Sequence, residues 1–284
     1  MNNIIYNYVY LSIYRFLQPG MLADEADEYS VSRSLEAYLL WLLGNIMFCN
    51  GHGNSVDKIL LVYARAIADA QAEEEVPSWS WGAAVLSCTY HALCDACMKT
   101  EANGMITGCP LLLQLWAYER IAVGRPRVSL APYEDALYVD DHDDTWPTMG
   151  TIWMRPHSVR FFYFYSGFFS SSMHYITSSY ILQRSWAPSQ TRRSYPEFIR
   201  ELDQLQPDDV VWEPYSAQAI VARAPRGLSS WCGANPGLWL TTAALVYDIY
   251  VEPHCPDRVM RQFGLRQRFP LPAPLHRVPR QDHG

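Results

Sequence analysis

The stretch "SWSWGAAVLSCTYHALCDACMKT", residues 78–100, decides the fold class of this chain. Trp81, Val85, Cys88 and Ala92 recur within it at spacings of four, three and four residues, which places them on one face of a helix. Ser78 is a residue type that caps helix N-termini. The stretch therefore predicts a long amphipathic helix whose apolar face packs against a core.

Two neighbouring stretches repeat this helical pattern. "SLEAYLLWLLGNIMF", residues 34–48, carries an apolar stripe, and "ITGCPLLLQLWAYERI", residues 106–121, begins near Pro110, where a missing N–H costs a helix nothing. Ser55 can cap a further helix that follows it. The apolar stripe of residues 34–48 consists of Leu35, Leu39, Leu42 and Ile46.

Helical signals return near the C-terminus. Ser194 and Glu197 form a capping box, and Gly264 is placed to end a short helix over residues 257–264. "LWLTTAALVYDIYV", residues 238–251, has no clean period and is compatible with either helix or strand. The whole pattern predicts a mainly α fold: a single irregular helical domain, truncated, with a poorly ordered insertion.

Composition narrows the class of protein. The 284 residues carry a formal net charge of −7, which argues against a nucleic-acid coat over the whole surface. Seven cysteines fit buried free thiols in a reducing compartment. The opening "MNNIIYNYVYLSIYRF" is too short and too interrupted to span a bilayer, so we expect no membrane partner.

No catalytic template fits the chain. Cys94 and Cys97 form a CxxC with His91 nearby, but a second CxxC is missing, so core packing is the favoured interpretation over metal binding. The acidic run at residues 140–144 does not match a calcium loop. We therefore expect no catalytic residue, no metal, no cofactor and no small-molecule substrate.

The C-terminal region is rich in arginine. Residues 258–280 contain six arginines, and a basic tail can contact phosphates without sequence specificity. A solvated helix end followed by a flexible tail explains the same composition. The candidate nucleic-acid contacts are Arg258, Arg261, Arg266 and Arg268.

Four segments together resemble the plant mobile domain, the Maintenance of Meristems-like, transposon-related family also labelled aminotransferase-like or phosphatase 7 long form. They are "SWSWGAAVLSCTYHALCDA", "ITGCPLLLQLWAYERI", "RRSYPEFIRELDQLQPDDVVWEPY" and "RVMRQFGLRQ", and the resemblance covers Leu35 to Gln267. The metal motifs of a phosphatase are absent from the chain, so phosphatase activity is not transferred.

The resemblance implies a non-enzymatic, nuclear protein-interaction domain. It implies roles in meristem maintenance, transposon silencing and genome stability, and protein partners that include a phosphatase 7-like protein. A transposon-derived nucleic-acid-binding module is the alternative. The motif residues, interpreted as structural, are Trp81, Gly82, Gln114, Trp116, Glu119, Arg120, Trp212, Glu213, Pro214, Tyr215, Arg258, Arg261, Gln262, Phe263 and Gly264.

One stretch interrupts the family pattern. Residues 156–183 hold nine Phe or Tyr and seven Ser but no Asp, Glu or Lys, a composition typical of translated intronic sequence. The predicted organisation is an N-terminal extension outside the fold (1–30), a first part of the domain (31–154), an intron-derived, disordered insertion (155–184), a second part (185–270) and a flexible tail (271–284).

Overall fold

The computed structural model describes residues 27–50, 56–72, 75–99, 106–125, 131–133, 146–154, 195–233 and 236–269. Within these ranges the chain is mainly helical, which confirms the predicted fold class. The α-helices and strands described are α1 (Glu28–Leu42), α2 (Ile59–Ala68), α3 (Trp81–Met98), α4 (Pro110–Arg120), α5 (Tyr195–Asp203), α6 (Ala217–Arg223), α7 (Pro236–Trp239), β1 (Ala243–Tyr247) and β2 (Tyr250–His254).

Shorter helical segments complete the described part. A π-turn at Leu43–Met47 follows α1 directly. The 3₁₀ segments are Thr151–Met154, Pro207–Asp209, Ser230–Cys232 and Pro256–Phe263.

The chain divides into two compact units. Unit 1 takes its described residues from 27–113 and 243–254, and unit 2 from 114–242 and 255–269. The division falls inside α4, and each unit has its own cluster of buried apolar side chains.

The core of unit 1 lies between α1, α2 and α3. Its buried residues are Leu40, Leu43, Phe48, Leu60 and Ala64. Gly44 permits this packing, because a Cβ added there would lie 2.4 Å from a methyl carbon of Val56. The N-terminus of α1 is capped by Asp27, whose carboxylate accepts a hydrogen bond from the Ser30 amide at 2.7 Å.

The predicted stripe of α1 was out of phase. Leu35 is exposed, whereas Ala37, Leu40 and Leu43 are buried. The cause within α1 is that Glu36 is buried on this face, held by Arg33 and Arg65. After α1 the π-turn, in which the Phe48 amide donates to the Leu43 carbonyl at 2.8 Å, adds a residue and shifts the phase from Leu43 onward.

The helix starts also differ from prediction. Helix α3 begins at Trp81 with Ser80, not Ser78, at the N-cap, and the Ser80 side chain makes no capping hydrogen bond. Helix α4 begins at Pro110 as predicted. Helix α1 begins at Glu28, before the boundary predicted at residue 31.

The ambiguous stretch at residues 238–251 contributes most of a β-hairpin. Strands β1 and β2 pair antiparallel, with Val246 opposite Val251. The connection needs a positive φ at Asp248 (50°), a conformation that Asp tolerates better than most residues. The Tyr247 ring stacks on Phe48 at 4.4 Å between centroids, so the hairpin closes the core of unit 1.

Unit 2 has a more aromatic core. Tyr118, Tyr133, Ile152, Trp153 and Ala224 are buried together. The predicted cap at Gly264 is confirmed by its left-handed conformation (φ 68°), although the helix before it is 3₁₀.

Several predictions lie outside the described residues. They are the caps at Ser55 and Ser194, the insertion at 155–184, the tail at 271–284 and the acidic run at 140–144. Among the helices that are described, none has the length and apolar character to cross a membrane.

Candidate functional site

Three of the sequence motifs meet in unit 2. The indole N–H of Trp116 on α4 donates to Gln262 Oε1 at 3.3 Å. The Arg261 guanidinium lies over the Trp212 ring at 5.7 Å. Residues far apart in the chain are thus brought together by a helix, a loop and a 3₁₀ segment.

Gly264 lies against the Glu213 side chain at the same point. A Cβ added to Gly264 would lie 2.6 Å from Glu213 Oε1, so this exposed, flexible side chain would have to shift. Pro214, next to Glu213, is buried. Phe263 is half-buried and Gln114 is exposed.

Two tryptophans of these motifs, which the sequence led us to interpret as structural, do not lie in the core. Trp116 is 44% exposed and Trp212 is 40% exposed. Each instead presents a ring face to an arginine, Arg120 and Arg261 respectively. A guanidinium over an aromatic face is attracted by the ring quadrupole, which lets a half-exposed tryptophan hold a charged neighbour in place.

Glu119 is the centre of a buried ionic network in unit 2. It is buried at the C-terminal end of α4. Its Oε1 accepts from the Trp153 indole at 2.6 Å and from Arg223 Nη1 at 2.8 Å, while its Oε2 accepts from Arg223 Nη2 at 3.1 Å. The pairing with Arg223 is bidentate, the strongest geometry available to a carboxylate and a guanidinium.

This pairing decides the charge state of Arg223. Burial alone would lower the pKa of its guanidinium, but the hydrogen bonds to Glu119 and the charge of that carboxylate outweigh burial and raise the pKa. Arg223 is therefore a fixed cation that neutralises Glu119.

Arg120 lies between two aromatic rings. Its guanidinium is 5.0 Å from the Trp116 ring and 5.7 Å from the Tyr215 ring. Burial lowers the pKa of Arg120, and a hydrogen bond with Tyr215 opposes that shift. Burial and the negative charge of Glu119 raise the pKa of Tyr215 to about 12, so the phenol is neutral at physiological pH.

Arg125 is the third cation near Glu119. Its guanidinium lies over the Trp153 ring at 5.2 Å. Burial lowers the pKa of Arg125, the carboxylate of Glu119 opposes this, and the positive charge of Arg223 adds to the lowering. Among the described residues, its buried Nε has no hydrogen-bond partner.

Sequence reasoning found Glu119, Arg120 and Tyr215 but missed Arg125, Trp153 and Arg223. Trp153 lies in "PTMGTIWMR", a segment of the family pattern, and could have been selected on that basis. Arg125 and Arg223 belong to no pattern in the sequence. Their importance follows from tertiary contacts alone.

The four arginines proposed to contact nucleic acid are all exposed. Arg266 and Arg268 line an open groove of about 450 Å³ together with Met260, Leu265, Gln267 and Phe269. Phe269 is 98% exposed. Arg258 and Arg261 are not among the lining residues, so the groove brings together two of the four.

The remaining motif residues lie in unit 1. The Trp81 ring contacts the rings of Phe48 and Tyr63 at 6.2 and 5.9 Å, as expected of a core residue. Gly82 has no atom within 4 Å of an added Cβ. Near the CxxC, His91 bonds to Glu252 at 3.1 Å, and the described residues contain no cluster of three potential metal ligands.

The fold and the site together define a class of protein. It is a mainly helical domain with a buried carboxylate that an arginine holds in place. The family model of the plant mobile domain matches residues 12–284, so this chain belongs to the plant mobile domain family. The matched range begins before Leu35 and ends after Gln267, so it is wider than the resemblance found in the sequence.

The chain resembles several curated proteins of Arabidopsis thaliana. It is 30% identical over 235 residues to Protein MAIN-LIKE 1, covering 83% of this chain and 35% of that protein. It is 29% identical over 254 residues to Serine/threonine-protein phosphatase 7 long form homolog, covering 89% of this chain and 16% of that protein. Identity to Protein MAINTENANCE OF MERISTEMS is 24% over 238 residues, covering 84% of this chain and 38% of that protein.

The chain thus spans well under half the length of these relatives. The relatives support a family related to meristem maintenance. No solved structure matches the chain.

Proposed function

We propose that this plant mobile domain is a non-enzymatic protein-interaction module that acts in the nucleus, in meristem maintenance, transposon silencing and genome stability. Its partner is a protein with a complementary apolar surface, and a phosphatase 7-like protein is the first to test. One relative that contains a matching region has phosphatase 7 in its name, and that region is only 16% of its length. A domain that accompanies much longer sequence is suited to recruiting or positioning other proteins.

One feature of unit 2 carries this proposal. Within Ser230–Leu240, four large apolar side chains are exposed, among them Trp231 at 72% and Trp239 at 53%. The other two are Leu238 and Leu240. Tryptophan is enriched among the residues that dominate the affinity of protein interfaces, and large exposed apolar side chains grouped in one short segment of sequence are candidates for an interaction surface. We call these four residues the apolar segment.

The test compares capture of a phosphatase 7-like protein from nuclear extract by the full chain and by a W231S/W239S variant. If the apolar segment is the interface, the double substitution reduces capture at least about tenfold, because buried tryptophans each contribute about 2 kcal/mol or more. F269S removes another exposed aromatic of unit 2 and is the matched control, with unchanged capture expected. Equal capture by the double variant and the unsubstituted chain contradicts the proposal.

The second candidate function is nucleic-acid binding through the C-terminal groove. Exposed Arg266 and Arg268 beside the exposed Phe269 combine phosphate-binding cations with a stacking surface. This proposal predicts that affinity for a single-stranded oligonucleotide falls steeply with salt. Log affinity falls as log salt concentration rises, and R266Q/R268Q should make this slope shallower by about 1.4. Each phosphate contact on a single strand contributes about 0.7 to the slope. An unchanged slope, or no binding at low salt, removes this candidate.

A further inference from the structure

The ionic network around Glu119 has more positive than negative charge. Three guanidinium groups, those of Arg120, Arg125 and Arg223, interact with one carboxylate. Tyr215, which also contacts Arg120, carries no compensating charge at neutral pH. Among the residues that the structure describes, two positive charges of this largely buried cluster are therefore unbalanced, an arrangement that proteins normally neutralise with a counter-charge.

Two cations of the network, Arg120 and Arg125, each have a buried Nε without a hydrogen-bond partner among the described residues. Arg223 directs two donors to Glu119, and Arg120 donates to the Trp116 carbonyl at 3.4 Å. The Arg125 guanidinium is held over the face of Trp153. A guanidinium presents five donors in a planar fork, so Arg125 is placed to offer several of them to an anion.

The available cations can be reached from solvent. Arg125 is half-buried and the Arg223 side chain is 21% exposed, whereas Arg120 is buried. Arg125 and Arg223 are close enough for the charge of one to lower the pKa of the other. An anion at this surface would contact both guanidinium groups.

From this geometry we infer that Arg125 and Arg223 form a binding site for a phosphomonoester dianion carried by a protein partner. The inference deepens the proposed protein-interaction function and rests on it. A phosphoserine or phosphothreonine carries up to two negative charges and three acceptor oxygens, which matches the two positive charges unbalanced among the described residues and the planar fork of Arg125. A phosphodiester carries one charge per phosphate and matches less well, which favours a phosphorylated protein over nucleic acid.

The test measures by calorimetry the binding of a short alanine-based peptide with one phosphoserine to the full chain. The peptide with unmodified serine, inorganic phosphate, and a single-stranded oligonucleotide complete the set of probes. We expect R125Q to weaken binding of the phosphopeptide about tenfold or more, because a charge-assisted hydrogen bond of this kind is worth at least about one factor of ten. R125K keeps the charge but loses the planar fork and should bind with intermediate affinity.

The matched control is R200Q, which removes an exposed arginine from α5 of the same unit and should bind like the unsubstituted chain. Without ligand, R125Q should melt at the same temperature or higher, because it removes a charge that burial destabilises and that Arg223 repels, and these effects outweigh the attraction to Glu119. A lower melting temperature for unliganded R125Q would show that Arg125 is structural and would overturn the inference.

Three further results would overturn it: no binding of the phosphopeptide, equal binding by R125Q, or Arg125-dependent binding of the oligonucleotide alone. Binding of inorganic phosphate without the phosphopeptide would overturn the assignment to a protein partner. The capture experiment with W231S/W239S depends on other residues. If capture needs the apolar segment but the phosphopeptide does not bind, the proposed function stands and only the phosphate site fails.

Discussion

Trp153 and Arg223 donate to the same oxygen of Glu119, at 2.6 and 2.8 Å. Trp153 follows Thr151 in a 3₁₀ segment, and Arg223 ends α6, so this one carboxylate joins three separate elements of unit 2. The acceptor of both hydrogen bonds, Glu119, is buried and almost inaccessible to water. The buried carboxylate therefore holds these three elements together through hydrogen bonds.

Replacing Glu119 by glutamine should destabilise unit 2 strongly. The change leaves the Arg223 cation without its counter-charge, and breaking a buried ion pair from one side costs about 3 to 5 kcal/mol. Urea unfolding followed by circular dichroism measures the loss. D203N, which removes an exposed carboxylate from α5, is the control and should change stability by less than about 0.5 kcal/mol. Similar losses in both variants would show that Glu119 is not a structural tie.

Two motif glycines should respond to alanine in opposite directions. Gly264 has a φ of 68°, a left-handed conformation that is strained for alanine, so G264A should lower the free energy of unfolding by about 1 to 2 kcal/mol. Gly82 lies in α3 with open space around an added Cβ, so G82A should raise it by up to about 1 kcal/mol. Thermal unfolding of the two variants side by side measures the difference. A loss of stability in G82A would mean that this glycine has a role beyond packing.

Local sequence signals predicted much of the fold. Pro110 at the start of α4 and Gly264 at the end of a 3₁₀ segment act through their own backbone preferences, and both lie where the sequence places them. The phase of α1 could not be predicted, because it depends on the burial of Glu36 by an ion pair with Arg65, which is distant in sequence. The hairpin was ambiguous for a related reason: its strands are defined by pairing with each other and by packing on α3.

The candidate site, like the fold, could be predicted from the sequence only in part. Trp116 and Trp212 lie in apolar contexts in the sequence, yet each is half-exposed because an arginine covers one face of its ring. Arg125 and Arg223 become part of the site only when folding brings them to Trp153 and Glu119. Periodicity reports which side of a helix is apolar, but it carries no information about which cation meets which carboxylate.

Unit 2 should lose stability in alkali through Tyr215. The folded-state pKa of about 12 lies above the ordinary value of 10.0, so between these values the unfolded chain releases a proton that the folded chain retains. The stabilisation is complete below pH 10 and is lost as the pH rises toward 12. We expect a decrease of up to about 2 kcal/mol, measured by urea unfolding at pH 9 to 11.5.

The Y215F variant isolates this contribution. It has no phenol to titrate, so its stability should fall less steeply over the same pH range. The raised pKa of Tyr247 in unit 1 affects both proteins equally and cancels in the comparison. Parallel curves for Y215F and the unsubstituted chain would contradict the assignment to Tyr215.

The cysteines should fall into two groups by reactivity. Burial raises the pKa of Cys49 and of Cys88 to about 11, and the neighbouring Cys109 adds to both shifts, so few of these thiols are ionised at neutral pH. Cys94 and Cys97 are exposed on α3. Brief iodoacetamide treatment at pH 7.5 should therefore alkylate Cys94 and Cys97 first, as read by peptide mass spectrometry. The same treatment in urea should remove the difference, and rapid alkylation of Cys49 or Cys88 in the folded chain would show that the core of unit 1 opens readily.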